Sequence, residues 1–165
     1  PTMLTKEVIA FATTQIGVLE QPLGSNKGPE VNKYLAAVGL DPGNFWCVAF
    51  TFFCYQQAAS IVGIPNPHVK TAGVLDHWNK AKNLPGARRI TTNDAIANPE
   101  LITLGSLFII DHGGGFGHSG IVTGISGGLL ETIEGNTSMT NQSNGGQVMN
   151  RLRKNKNVLF VHPKI

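Results

Sequence analysis

The chain has 165 residues, 41% of them hydrophobic and 14% charged, with a formal net charge of +3 and a pI near 9.1. That is enough apolar material for one respectable core and too little chain for two typical domains, so residues 1–165 are expected to form a single domain. The Lys and Arg residues are scattered, which argues against nucleic acid as a partner. The longest apolar stretch, Phe45 to Tyr55, falls well short of the ~20 residues that a membrane-spanning helix needs.

The first half reads helical. Thr5 can cap a helix running to about Gly17, with Val8, Ala12 and Ile16 at one-turn spacing. Pro29 suits the first position of a second helix, with Val31, Tyr34, Leu35 and Val38 on one stripe and Gly39 as its stop. Asn44 can cap a third helix through Ile61, ended by Gly63 and Pro65. Its Val48, Ala49, Phe50, Phe52, Phe53 and Ala58 are apolar nearly all round, which places it mid-core. A shorter helix after Thr71 should bury Leu75 and Trp78 before Pro85. Beyond Leu104 come β-branched runs broken by glycine: 107–111, 121–125, 129–133, 147–152 and 158–161. Helices first and strands second predict an α+β fold, N-terminal helices packed on a C-terminal antiparallel sheet. Residues 135–146 read as a long polar loop.

Cys47 and Cys54 stand seven residues apart on one predicted helix, ~10 Å at a 1.5 Å rise per residue, so no disulfide can join them. With Asn44 as cap, Cys47 falls in the first turn, where unpaired N–H groups and the positive dipole end favour a thiolate. Cys54, among phenylalanines, reads as core. A cysteine nucleophile needs a histidine to share its proton and a polar group to hold the ring.

Residues 117–125 and 129–136 form a predicted hairpin. A three-residue turn at 126–128 pairs Val122 with Thr132, Gly120 with Glu134 and His118 with Asn136. His118, Glu134 and Asn136 then share one face, with Ser119 and Ile133 on the other. Asn136 can reach the imidazole directly and Glu134 diagonally, and Gly120 leaves room for the carboxylate.

Trp46-Cys47-Val48-Ala49-Phe50 at a helix start, Gly117-His118 opening a strand and Glu134-Gly135-Asn136 closing the next resemble the CHAP domain, a papain-like group of peptidoglycan amidases and endopeptidases related to NlpC/P60. Gly17-Val18-Leu19-Glu20 and Asn26-Lys27-Gly28-Pro29-Glu30-Val31 resemble the lead-in to the catalytic helix of some lysins. The resemblance implies a cysteine hydrolase cleaving amide bonds of bacterial peptidoglycan through an acyl-enzyme. Cys47 would be nucleophile, His118 base, and Glu134 and Asn136 would orient the imidazole. Trp46 and Asn26 are the expected substrate contacts. Trp46 stands where several lysins carry glutamine, and Asp41 alone does not reproduce the aspartate-rich calcium loop of some relatives, so neither metal nor cofactor is expected. Peptidoglycan is the implied partner, joined by a dedicated inhibitor protein if the chain is a toxin. A monomer is expected. It would act in the bacterial wall or periplasm after export, injection or phage delivery, and no signal peptide opens the chain as given.

Rival motifs are weaker. Gly115-Phe116-Gly117-His118-Ser119-Gly120 fits a dinucleotide-binding string but is followed by a strand-like run. Gly124-Ile125-Ser126-Gly127-Gly128 fits a serine-hydrolase elbow but lacks the following helix. Asp111, His112, His118 and Glu134 could instead gather zinc, as in a metal-dependent wall peptidase. An inactive module of the same fold, binding wall peptide or a protein, is the remaining alternative.

Overall fold

The computed structural model describes residues 1–138, 140–156 and 158–163. Four helices come first: α1 Met3–Thr14, α2 Pro29–Ala37, α3 Cys47–Val62 and α4 Val74–Ala81. Then come β1 Arg88–Ile90, α5 Thr92–Ala97, a 3-10 turn at Pro99–Leu101, and strands β2 Leu107–Gly113, β3 Phe116–Ser126, β4 Leu129–Thr137, β5 Gln147–Lys154 and β6 Leu159–His162. The six strands form one sheet in the order β1-β6-β2-β3-β4-β5, every neighbouring pair antiparallel. The expected α+β arrangement is what the structure shows.

Helix α3 is buried over most of its surface, at ten of its sixteen residues, with α1 and α2 on one flank and β3 and β4 on the other and only its C-terminal turns reaching solvent at Gln56, Ser60 and Ile61. Tyr34 of α2 meets the Trp46, Phe50 and Phe53 rings at 5.7, 5.3 and 5.3 Å. At Phe50, which is fully buried, truncation to alanine should cost about 3–5 kcal/mol. Gly63 ends α3 in the left-handed conformation, φ 81°. Close packing of α3 on the sheet depends on Gly135: a Cβ there would lie 2.7 Å from Phe50 Cβ and 2.9 Å from Trp46 Cζ3.

Three helix starts differ from the sequence reading. Thr2 caps α1, accepting from the Thr5 N–H at 3.2 Å. Trp46 occupies the N-cap of α3 without a side-chain bond, because the Asn44 amide is used within the preceding loop, on the Asp41 carbonyl at 2.9 Å. Gly73 precedes α4, where Thr71 bonds Asp76 across the turn. Helix α4 buries Val74, His77 and Ala81 rather than Leu75 and Trp78; the half-buried Trp78 ring instead carries the Arg89 guanidinium at 4.6 Å. Strand β1 and helix α5 lie outside the expected elements, and each is too short for its periodicity to show.

Candidate active site

The first turn of α3 presents a cysteine. Phe50 N–H makes the first bond back to the helix, to the Trp46 carbonyl at 2.9 Å, so the amides of Cys47, Val48 and Ala49 have no partner within the helix. With the helix beginning at Cys47 itself, the thiol sits closer to the positive dipole end than a cap at Asn44 would allow. Cys47 is 5% exposed, at the floor of a cavity of about 230 Å³. Phe45 and Phe116 rise beside it, both exposed, with ring centroids 6.4 Å apart. His112, near the end of β2, and Ser143, from the β4–β5 loop, face the same cavity and bond each other at 2.8 Å. Cys54 is free and fully buried, and burial pushes its thiol well above the ordinary range.

The histidine arrives on β3 through a register that differs from the predicted one in an instructive way. The β3–β4 turn has two residues, Gly127 and Gly128, both at positive φ (57° and 79°), as a tight hairpin turn requires. Near the tip, Ser126 therefore pairs with Leu129 and Ile125 with Leu130, one residue off the expected register. A bulge between Val122 and Gly124 then adds a residue to β3 and restores the predicted pairing, Val122 with Thr132 and Ile121 with Ile133. Ile121 and Ile133 turn into the cluster beneath α1, α2 and α3. His118, Gly120 and Glu134 alternate with them. At Gly120 a Cβ would lie 2.6 Å from Phe108 and 2.7 Å from Glu134 Cγ, so only glycine admits the carboxylate here.

His118 Nε2 and Glu134 Oε1 are 2.9 Å apart, both side chains fully buried. Nδ1 has no well-formed hydrogen bond and is the ring nitrogen left for the neighbouring Cys47 thiol, which interacts with the imidazole. Burial alone would depress the His118 pKa, but Cys47 on one side and Glu134 on the other reverse this and raise it to about 9. Burial likewise opposes ionisation of Glu134, and Arg153 and His118 together outweigh it, holding the carboxyl down to about 2. Arg153 of β5 grips the carboxylate with two prongs, Nε to Oε2 at 2.5 Å and an Nη to Oε1 at 2.6 Å. Thr132 Oγ1 donates to Oε2 at 2.6 Å. Such an arrangement can hold an imidazole in one orientation and exchange a proton with a thiol that opens into a cavity.

The other expected site residues lie elsewhere. Asn136 does not bond His118. Its backbone is in the left-handed region, φ 57°, at an irregularity between Glu134 and Thr137 in the β4–β5 ladder. Its Oδ1 accepts from Gly146 N–H at 3.1 Å and its Nδ2 faces Asn26 Oδ1 at 3.5 Å. Asn26 takes part in that tie, its own N–H bonded to Glu20, and does not line the cavity. Trp46 is fully buried against Tyr34 and Gly135; Phe45, one residue earlier, takes the rim position expected of it. The proposed zinc grouping is not assembled: Asp111 accepts from Gly113 N–H, His112 faces Ser143 and His118 faces Glu134. Among the described residues no group of three His, Cys, Asp or Glu side chains is placed to hold a metal ion. Sequence reasoning missed Arg153, Thr132, Phe45 and Phe116. The strand parity that groups Thr132 with Glu134 was available, whereas Arg153 lies past the end of the expected 147–152 strand.

A family model of the CHAP domain matches residues 39–136, a span that runs from before Cys47 through His118 and Glu134 to Asn136. The chain belongs to the CHAP domain family. No curated protein matches the sequence. Among solved structures, that of the wild-type endolysin LysIME-EF1 is similar in fold, with a TM-score of 0.53 at 17% identity. The alignment covers 97% of this CHAP chain and 64% of the endolysin chain, so the chain spans under two thirds of that protein.

Proposed function

We propose that this CHAP chain is a cysteine hydrolase that cleaves amide bonds of bacterial peptidoglycan, with residues 1–165 as its single catalytic domain. Family membership and the endolysin-like fold support a peptidoglycan hydrolase. The observation that carries the cysteine mechanism is Cys47 at the tip of α3, opening into a cavity and backed by an imidazole whose far nitrogen is held by Glu134.

In this mechanism the Cys47 proton resides on His118 Nδ1 and the thiolate attacks the scissile carbonyl carbon. The negative charge that develops on the carbonyl oxygen meets the unpaired N–H groups of the first turn of α3. As the C–N bond breaks, His118 gives its proton to the departing amine, leaving a thioester on Cys47. Water, deprotonated by His118, then attacks the thioester, releases the carboxylic acid and restores the thiol. Glu134 keeps the Nε2 hydrogen in place throughout and offsets the imidazolium charge. The enzyme acts as a monomer on the wall, and among the described residues no helix is long and apolar enough to cross a membrane. A dedicated inhibitor would accompany it in a toxin setting.

Incubation with purified cell wall followed by mass analysis of the released ends tests the proposal. New amino ends matched by new carboxyl ends, absent with Cys47→Ala and unaffected by a chelator, support it. Binding without new ends would assign an inactive module, and loss of activity on chelation with rescue by zinc would assign a metallopeptidase.

A further inference from the structure

The Glu134 carboxylate is fully buried and receives four contacts, only one of them from the histidine it orients. Two come from Arg153, a residue 19 positions away on β5 with a side chain only 12% exposed. The guanidinium lies 5.1 Å from the centre of the Phe108 ring; that ring also stands 5.9 Å from His118. Gln142 Oε1 accepts from Arg153 at 3.3 Å. Arg153 is therefore fixed from three sides, by carboxylate, aromatic face and loop.

A buried carboxylate whose sole cationic partner was an imidazolium would face a dilemma. Each time His118 became neutral, the anion would be left uncompensated in a dry site, at considerable cost. Either the proton would stay trapped on the imidazole or the carboxyl would take one up and cease to act as acceptor. A guanidinium removes the dilemma because it stays charged at every working pH. We infer that Arg153 is a positioning residue for the hydrolytic reaction, keeping Glu134 ionised and in place so that His118 can gain and lose its proton without losing its anchor. The inference rests on His118 serving as the base of Cys47, as proposed above. The ionisable groups around Glu134 are His118 from β3 and Arg153 from β5, with Cys47 of α3 beyond the imidazole.

The test compares wild type with Arg153→Met and Arg153→Lys in two measurements. In wall hydrolysis, Arg153→Met should lower kcat/KM by about 10–100-fold, the scale on which loss of an outer partner of an oriented imidazole is felt. The acid limb of its pH profile should move up by about one unit, because Glu134 without its guanidinium takes up a proton at higher pH. Arg153→Lys, which keeps the charge and loses the fork, should move the limb in the same direction by less. In the free protein, histidine-selective NMR should show the His118 titration displaced in the same variants, with the other histidines unchanged. Loss of folded protein alone would reduce the rate and leave both limb and titration in place, and that result would overturn the inference. Should Arg153→Met not fold, Arg153→Lys decides: a shifted limb and His118 titration support the role, unshifted ones overturn it. The NMR arm needs no substrate, so a chain that proved inactive on wall would refute the proposed function while this inference was still judged by the His118 titration.

Discussion

The imidazoles of His68, in the α3–α4 connection, and His77, of α4, are stacked, ring centroids 4.4 Å apart and planes inclined by 22°. His68 is bonded to Thr51 Oγ1 and the Val69 carbonyl at 2.9 and 2.6 Å, while neither ring nitrogen of His77 has a partner. Phe52 and Tyr55 close the site from α3. Burial lowers His68 to about 4 from its ordinary 6.5 and, joined by repulsion from His68, lowers His77 well below that value. Both rings are thus neutral in the folded protein and take up protons on unfolding below pH 6.5, so stability is greatest above that pH and declines as pH falls, through 4 for His68 and lower still with His77. Thermal melts should fall over this window. His77→Phe should flatten the decline, and a variant that melts in parallel with wild type would remove this explanation of acid lability.

Cys47→Ala should abolish hydrolysis with the melting temperature nearly unchanged, since the thiolate has no substitute in this cavity. Iodoacetamide should label Cys47 before Cys54, which lies fully buried in the helix cluster. Peptide mass mapping of the native protein reads the order directly, and faster labelling of Cys54 would reverse the assignment.

Glu134→Gln should reduce kcat by about a hundredfold or more while KM changes little, because the carboxylate acts on the imidazole and not on substrate. The same variant should alter stability toward alkali. His118 titrates near 9 in the folded protein against an ordinary 6.5, so its pairing contributes fully below pH 6.5 and is lost as pH rises through 9. Melts taken across that window should show a decline in wild type that is smaller in Glu134→Gln, which keeps Cys47 but loses the second of the two groups that hold the proton on the imidazole.

Asn136→Ala separates two roles for this residue. Were its amide on the imidazole, turnover would fall at constant stability. The contacts seen here give the opposite result: Gly146 N–H loses its buried acceptor, at a cost of about 1–3 kcal/mol. The melting temperature should therefore drop, with kcat of the folded fraction much less affected, as calorimetry and steady-state kinetics on the same sample would reveal.

The sequence foretold elements long enough to show their period. Helix α2 begins at Pro29 as expected, and α3 is marked by residues that are apolar nearly all round and by its stop at Gly63. Cys47, His118 and Glu134 could be grouped because a helix tip and a strand face follow from local chemistry. Arg153 could not be found in that way, since its role depends on an ion pair across the β4–β5 ladder with no local pattern. Phe45 takes the rim position expected of Trp46, because adjacent aromatic residues look alike until packing decides which of them faces Tyr34. Asn136 escapes strand alternation because, one step beyond Glu134, its backbone turns to positive φ at an irregularity of the β4–β5 ladder, which no local pattern announces.

The bulge at Thr123 uncouples the two ends of the β3–β4 hairpin. Pairing at the tip is dictated by the Gly127-Gly128 turn, whereas pairing beside His118 is phased by Ile121 and Ile133 beneath the helices. A change of one residue in the turn can be absorbed within the bulge before it reaches Val122. The 126–129 tip, with Ile125 exposed beside it, is accordingly the place where a peptide tag or a foreign wall-binding module could be spliced into this chain while the distance from imidazole to carboxylate stayed as it is.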